Sequence, residues 1–270
     1  MKLEGVVLWD KPAGVTSHDV VATARRQFGR GIKVGHAGTL DPFATGLLLM
    51  LVGRATRVQR FLMALAKSYE VSARFGAVSS TGDPEGEIRE TGKVPEGDLV
   101  LPTGRLLQRP PAYSAIKISG RRAYALARSG VQVEMPEREV IVHRFEELWR
   151  RGERRGFAVE CSSGTYVRSL ISALGDAYCQ ELRRVRIGPF EVADANPERI
   201  LPLSEALAFL PDVRLDAEQS RRASHGQAIV PADGQSLTTG AGTIRLTDEH
   251  GLIALAEPVG ERFKPIVGFR

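Results

Sequence analysis

The sequence predicts a mixed α/β (α+β) body over residues 1–212 and a small, mostly β unit over 213–270. Three patterns carry this reading. Leu47-Leu48-Leu49-Met50-Leu51-Val52 is an unbroken apolar run of strand length, as expected for a strand buried on both faces. Tyr69, Val71, Ala73 and Phe75 alternate, as do Phe157, Val159 and Cys161, which is the period of a half-buried strand. Apolar residues recur at helical spacing at Val58, Phe61, Leu62 and Leu65, and at Val167, Leu170, Ile171 and Leu174.

Along the chain, Val6-Val7-Leu8-Trp9 reads as a strand entering the turn Asp10-Lys11-Pro12-Ala13-Gly14. A helix opened by Thr16 or Ser17 follows, with Val20, Val21, Ala24 and Phe28 on one face. Arg25, Arg26, Arg30 and Lys33 gather at its end and in the next loop. Residues 81–86 read as a turn and residues 98–107 as a further helix. From about 109 to 138 the chain is polar and basic, and reads as an excursion from the core. It holds an extended piece (113–118), a turn at Gly120 and a short helix (124–128). Ser162-Ser163-Gly164 then turns the chain into a helix whose first turn carries Arg168. Beyond 212 the chain becomes glycine-punctuated, with short apolar pieces at 243–246 and 252–255 that fit a small β unit.

Hydrophobic content of 43% and charged content of 26% are those of an ordinary globular protein. No apolar run reaches membrane-spanning length, and the first residues lack a signal peptide's pattern, so a cytoplasmic location is expected. Cys161 and Cys179 match no metal-ligand spacing and read as buried, reduced thiols. The net charge of +5 lies wholly in residues 1–212, which hold 30 Lys+Arg against 25 Asp+Glu; residues 213–270 hold 7 of each. Arginine outnumbers lysine 30 to 7. That ratio suits planar, bidentate phosphate contacts, although genome composition or a hot habitat produces the same bias. A basic first part is consistent with a nucleic-acid partner.

The segment Gly35-His-Ala-Gly-Thr-Leu-Asp-Pro-Phe-Ala-Thr-Gly46 places His36 and Asp41 on a glycine-punctuated loop directly before the buried run. Pro42 drives Asp41 out of the α region, so the carboxylate projects from a stiff elbow. Phosphate-loop chemistry is excluded, because Gly92-Lys93 is followed by Val94 and no glycine stands five positions before Gly92. Gly35-His36-Ala37-Gly38 matches the GxxG loop of KH domains, but that loop must join two helices, and Pro42 opposes the second. Singly, His36, Tyr69 and Arg168 have ordinary readings: a hydrogen-bonded structural histidine, a core tyrosine and a solvated helix face.

Together these segments resemble the TruB family of tRNA pseudouridine synthases. The 35–47 segment is similar to its catalytic motif, with Phe43 where leucine is usual, a change that alters packing only. Asp10-Lys-Pro-Ala-Gly14 resembles the N-terminal motif, and Lys67-Ser-Tyr69 the one with the active-site tyrosine. Tyr113-Ser-Ala-Ile-Lys117, continuing through Gly120, Tyr124, Arg128 and Gly130, resembles the segment that grips the RNA stem-loop. Cys161-Ser-Ser-Gly-Thr-Tyr-Val-Arg168 resembles the one with the arginine partner of the aspartate. The likeness covers roughly the first 200 residues; residues 213–270 resemble the family's PUA barrel more weakly.

The resemblance implies a pseudouridine-synthase fold, with a mixed, largely antiparallel sheet flanked by helices and a small β-barrel-like PUA domain. It implies isomerisation of uridine 55 in the T loop of tRNA, without cofactor or metal. Asp41 is then the essential carboxylate, Arg168 its partner, and Tyr69 the ring that stacks on the extracted uracil. Leu182, in the segment similar to the family's Leu-Arg-Arg motif, closes the pocket, and His36 supports the rearranged RNA. Lys11, Arg25, Arg26, Tyr113, Lys117, Arg121 and Arg122 are the expected RNA contacts. The resemblance also implies a monomer with the T-arm as partner and no obligate protein partner. Two rivals are a guide-RNA-directed relative, expected to carry a longer N-terminal extension, and an RNA chaperone that refolds tRNA without chemistry.

Overall fold

A computed structural model describes residues 3–111, 113–114, 117–118, 120–124, 135–230 and 242–270, with 117–118 and 121–122 given as backbone. The strands of the first half are β1 (Gly5–Lys11), β2 (Val34–Ala37), β3 (Thr45–Val52), β4 (Lys67–Phe75), β5 (Ala77–Ser79), β6 (Ile88–Glu90), β7 (Gly104–Gln108), β8 (Lys117–Ile118) and β9 (Arg121–Arg122). Then come β10 (Arg138–Arg151), β11 (Arg154–Cys161), β12 (Ala177–Ile187), β13 (Phe190–Glu191), β14 (Asp212–Arg214), β15 (Ile244–Asp248), β16 (Gly251–Val259) and β17 (Arg262–Gly268). The helices are α1 (Ser17–Phe28), α2 (Gln59–Ala64), α3 (Val167–Ser172), α4 (Leu203–Ala206) and α5 (Ala217–Ser224).

A nine-stranded sheet runs β1-β3-β12-β4-β11-β10-β7, with β2 added to β3 and β13 to β12. Every pairing in it is antiparallel except that of β3 with β12. The expected mixed, largely antiparallel sheet is therefore present. β3 explains its own apolar run: Leu47, Leu49 and Leu51 enter one core, while Leu48, Met50 and Val52 enter another. The second core is closed by α1, through Val20, Val21 and Ala24. Helix α1 starts where its sequence demands, because Thr16 and Asp19 form a reciprocal capping box. A third core packs β4, β11 and β12 against α3 through Tyr69, Val71, Phe157, Leu182, Leu170 and Ile171.

The C-terminal strands form a four-stranded sheet, β14-β15-β16-β17, with its own core around Leu246, Ile253 and Phe263. It also shares a core with the large sheet, since Leu255, Val267 and Phe269 pack with Leu51, Ala55 and Leu62. Arg57 adds a hydrogen bond of 2.6 Å to the Gly268 carbonyl.

The structure departs from expectation in several places. Residues 98–103 carry no helix, and 104–108 form β7, an edge strand paired with β10. Pro102 withholds an N–H and bars Leu101 from helical geometry, and Gly104 sits at φ +84°, so the helical spacing is overruled. Gly35, His36 and Ala37 belong to β2, so His36 stands on a strand and the GxxG match joins no two helices. The excursion leaves the sheet after β7 and returns at β10, and Lys117 pairs with Arg122 across the Gly120 turn. Ala123 and Tyr124 are helical; the rest of that expected helix lies outside the described residues.

One glycine in the sequence segment around Asp41 has a plain structural cause. At Gly46 the β3 backbone meets Arg184 of β12, φ is +103°, and an added Cβ would lie 2.2 Å from the Arg184 carbonyl oxygen. Gly46→Ala is expected to destabilise the fold by about 2–4 kcal/mol, read as a lowered midpoint in chemical denaturation. An unchanged midpoint contradicts the close approach.

Candidate active site

Residues 38–44 link β2 to β3, and the loop's backbone is held at nearly every residue. Ser17 Oγ donates to the Leu40 carbonyl at 3.1 Å and accepts from the Leu40 amide at 2.9 Å. The Pro42 carbonyl accepts from the Gly14 amide at 2.9 Å and from Lys11 Nζ at 3.1 Å. Arg184, fully buried on β12, donates to the carbonyls of Gly38 (2.9 Å), Thr39 (3.4 Å) and Leu47 (2.7 Å). A loop pinned at both ends and in its middle presents Asp41 in one geometry.

Asp41 Oδ2 lies 2.9 Å from Nε of Arg168. The contact is an ion pair by distance, and its N–H does not point along that line. Arg168 is only 3% exposed, in the first turn of α3, so the solvated-face reading is overturned. Its Nη1 meets Asp83 Oδ2 at 3.0 Å and donates to the Thr81 carbonyl at 2.6 Å, while Nη2 donates to the Tyr113 carbonyl at 3.0 Å. One buried guanidinium thus gathers two carboxylates and two carbonyls, as its planar fork permits. Burial raises the pKa of Asp41 above its ordinary value of 3.8; Arg168 opposes the shift and Asp83 reinforces it.

Tyr69, on β4, is buried in the same core as Leu40, Ala44 and Leu182. Its hydroxyl interacts with the Arg184 guanidinium, and burial pushes its pKa up, so it stays protonated. His36 is brought to about 4 by burial first, then by His18 and Arg184, and is neutral near pH 7. Its ring meets that of His18 edge-on at 5.8 Å, and its buried Nδ1 has no partner. Arg168 and Tyr113 line a cavity of about 620 Å³, and Phe43 and Leu182 line another of about 590 Å³. Among the described residues, no group of three or more His, Cys, Asp or Glu has metal-binding geometry. Cys161 and Cys179 are free and buried.

Asp41, Arg168, Tyr69, Leu182 and Tyr113 are therefore brought together by β4, β12, α3 and two loops. Lys11 is not on the RNA-facing surface expected of it. It is wholly buried, and Nζ donates to the carbonyls of Pro12 (2.9 Å), Val15 (2.8 Å) and Pro42. Desolvation lowers its pKa to about 8 against the pull of Asp41. Arg25 and Arg26 are exposed at the end of α1. The side chains of Lys117, Arg121 and Arg122 lie outside the described ones.

Three contributors were missed in the sequence: Asp83, Arg184 and Ser17. The signal for Asp83 was present, because Thr81-Gly-Asp-Pro84 repeats the Thr39-Leu-Asp-Pro42 pattern. For Arg184 it was the strand period, which puts that residue on the same face as Leu182.

The chain is similar to known proteins along most of its length. A model of the TruB family pseudouridylate synthase (N terminal domain) matches residues 25–167. The tRNA pseudouridine synthase B of Thermobifida fusca (strain YX) is 42% identical, over 98% of this chain and 98% of that protein. Its namesake from Nocardia farcinica (strain IFM 10152) is 42% identical, over 98% and 92% respectively. In a crystal structure of a Cbf5-Nop10-Gar1 complex, one chain matches with a TM-score of 0.69 at 25% identity, over 98% of this chain and 84% of that one. A chain in an H/ACA RNP bound to a substrate RNA containing 2'-deoxyuridine matches at 0.70 and 23%, over 98% and 85%, which supports the fold alone. The chain belongs to the TruB family of pseudouridylate synthases.

Proposed function

We propose that this protein isomerises uridine to pseudouridine in tRNA, at position 55 of the T loop, with Asp41 as the reacting carboxylate. The observation that carries the reading is the pairing of a pinned, partly exposed Asp41 with a buried Arg168 beside Tyr69 and Leu182. The relatives named tRNA pseudouridine synthase B match over nearly their full length, which supports tRNA as substrate.

The reaction breaks the bond between the uracil nitrogen and the ribose, turns the base, and joins a ring carbon to the same ribose carbon. The ring carbon gives up its proton and the freed nitrogen gains one, so no oxidant or energy source is consumed. A single carboxylate serves as nucleophile, or as the charge that stabilises the electron-poor intermediate. Arg168 favours its ionised form against the effect of burial. Tyr69 offers a stacking face to the extracted base, an interaction of about 1–3 kcal/mol. Leu182 and the neighbouring core exclude water that would otherwise capture the detached sugar. His36, neutral near pH 7 and half-buried, supports the rearranged RNA in this reading.

Flipping the target base costs a few kcal/mol, and surface contacts offset it. Arg25 and Arg26, the 117–122 hairpin and the C-terminal four-stranded sheet form the RNA-facing set in this reading. Residues 213–270 then act as a PUA-like RNA-binding domain behind a catalytic domain of residues 1–212. The protein acts in the cytoplasm, as a monomer, without an obligate protein partner.

Purified protein mixed with unmodified tRNA is expected to yield pseudouridine by nucleoside analysis. Asp41→Asn is expected to lower the rate at least about a thousandfold while tRNA binding persists; full activity in that variant refutes the reading. Conversion requires ionised Asp41, so activity falls as pH drops through a pKa above 3.8. Asp83→Asn removes a like charge, lowers the Asp41 pKa, and is expected to move that acid limb of kcat/KM to lower pH. Affinity for a T-arm hairpin is expected to fall roughly tenfold or more between about 50 and 200 mM salt, measured by filter binding.

A further inference from the structure

The cavity of about 590 Å³ next to Leu182 is larger than a single uracil fills. It begins at Phe43, two residues after Asp41, and at Pro84, which follows Asp83, so it borders both loops that hold Arg168. Its far wall is Trp149 on β10. The indole lies flat on the backbone of β11: a Cβ added at Gly156 would stand 2.0 Å from its Nε1. Only glycine at 156 permits that seat. Trp149 is nevertheless 38% exposed, and its outer neighbour is the exposed Arg151, whose guanidinium stands 5.7 Å from the ring centroid, so a fixed aromatic surface is reachable by a flat ring that enters under that side chain.

The polar groups around this surface are mostly acceptors. Glu70 and Glu181 line the cavity and are exposed, while Arg183, the cation in its lining, is engaged with Asp10 at 2.7 Å and Arg151 lies against the Trp149 ring. Gln180 also lines it, and its side-chain Oε1 is turned inward and has no donor. Rotating that amide toward a bound donor would cost no existing bond of the oxygen. Such a lining disfavours phosphate and favours a flat ring that presents N–H groups. Resting on the reading that the substrate is RNA, we infer that this cleft takes a second, unreacted base of the same loop, stacked on Trp149 and offering an exocyclic amino group to Gln180 and the flanking carboxylates. It is then a specificity subsite, reading a neighbour of the target nucleotide while Asp41 acts on the target itself.

The test uses the full-length protein and T-arm hairpin transcripts in which each loop base with an amino group is replaced, one at a time, by its amino-less counterpart. Trp149→Ala is expected to raise KM roughly tenfold, the size of one lost stack, with kcat within about twofold, whereas Trp149→Phe changes KM little. One amino deletion in the RNA is expected to raise KM for the unaltered protein but not for Gln180→Met. Should Trp149→Ala fail to fold, judged by its thermal midpoint, the Gln180→Met and Trp149→Phe arms decide. If no amino deletion has an effect that depends on Gln180, or if KM is unmoved by the loss of Trp149, the inference is overturned while the proposed function stands. If the unaltered protein converts no uridine at all, the proposed function falls, and the subsite with it.

Discussion

The corner of the molecule that the rest depends on is Arg168, a guanidinium out of contact with water between two carboxylates. A buried cation without partners costs several kcal/mol, so it is tolerated only where every segment that satisfies it is in place. Those segments are the Asp41 loop, the turn holding Thr81 and Asp83, the bend at Tyr113 and α3 itself. The four are distant in sequence. Their convergence on one side chain makes assembly of the site part of folding, so the carboxylate is aimed before any RNA arrives. Preorganisation of this kind spends the ordering cost ahead of the reaction.

The same device recurs along the loop. Lys11 and Arg184 are cations buried away from solvent, and most of their bonds go to backbone carbonyls, not to acids. A loop brought inside a protein carries carbonyls that secondary structure cannot satisfy, and a multi-donor side chain answers several at once. This bears on the arginine surplus. Arg155, Arg168 and Arg184 are buried and bound to protein acceptors, so part of the excess serves the fold instead of a phosphate backbone. Arg25 and Arg26 are exposed, and each gives one bond to a nearby protein acceptor, the Val34 carbonyl and the Thr23 hydroxyl.

How much could be read in advance follows from what each residue answers to. β3 was legible because both its faces are buried, which leaves no room for a polar letter. α1 was legible because its cap is local, two side chains three residues apart. The 98–107 segment was not, since β7 exists by pairing with β10, whose partner residues stand 30 or more positions further along the chain, and spacing alone cannot see a partner strand. Asp41, Tyr69 and Arg168 were found through resemblance to a family; periodicity alone gave Arg168 a solvated face. Lys11 failed for a related reason. A lysine reads as surface by default, and only the three carbonyls folded around it reverse that.

Asp41 and Asp83 show how environment separates two copies of one local pattern. Each follows Thr-x and precedes proline, and each meets the same arginine at about 3 Å. Asp83 also accepts from the Thr81 hydroxyl at 2.5 Å and the Glu85 amide at 3.1 Å, and its side chain is 5% exposed. Its lone pairs are committed, so it can hold Arg168 but has nothing left to offer a substrate. Among the described residues Asp41 has Arg168 as its one ion-pair partner, through an N–H that is off-line, and it keeps 30% exposure. Its uncommitted oxygen is the group that attacks or stabilises in the proposed function. In the proposed function, two carboxylates with one partner between them thus take different parts, one structural and one reactive, because only one has unspent acceptor capacity.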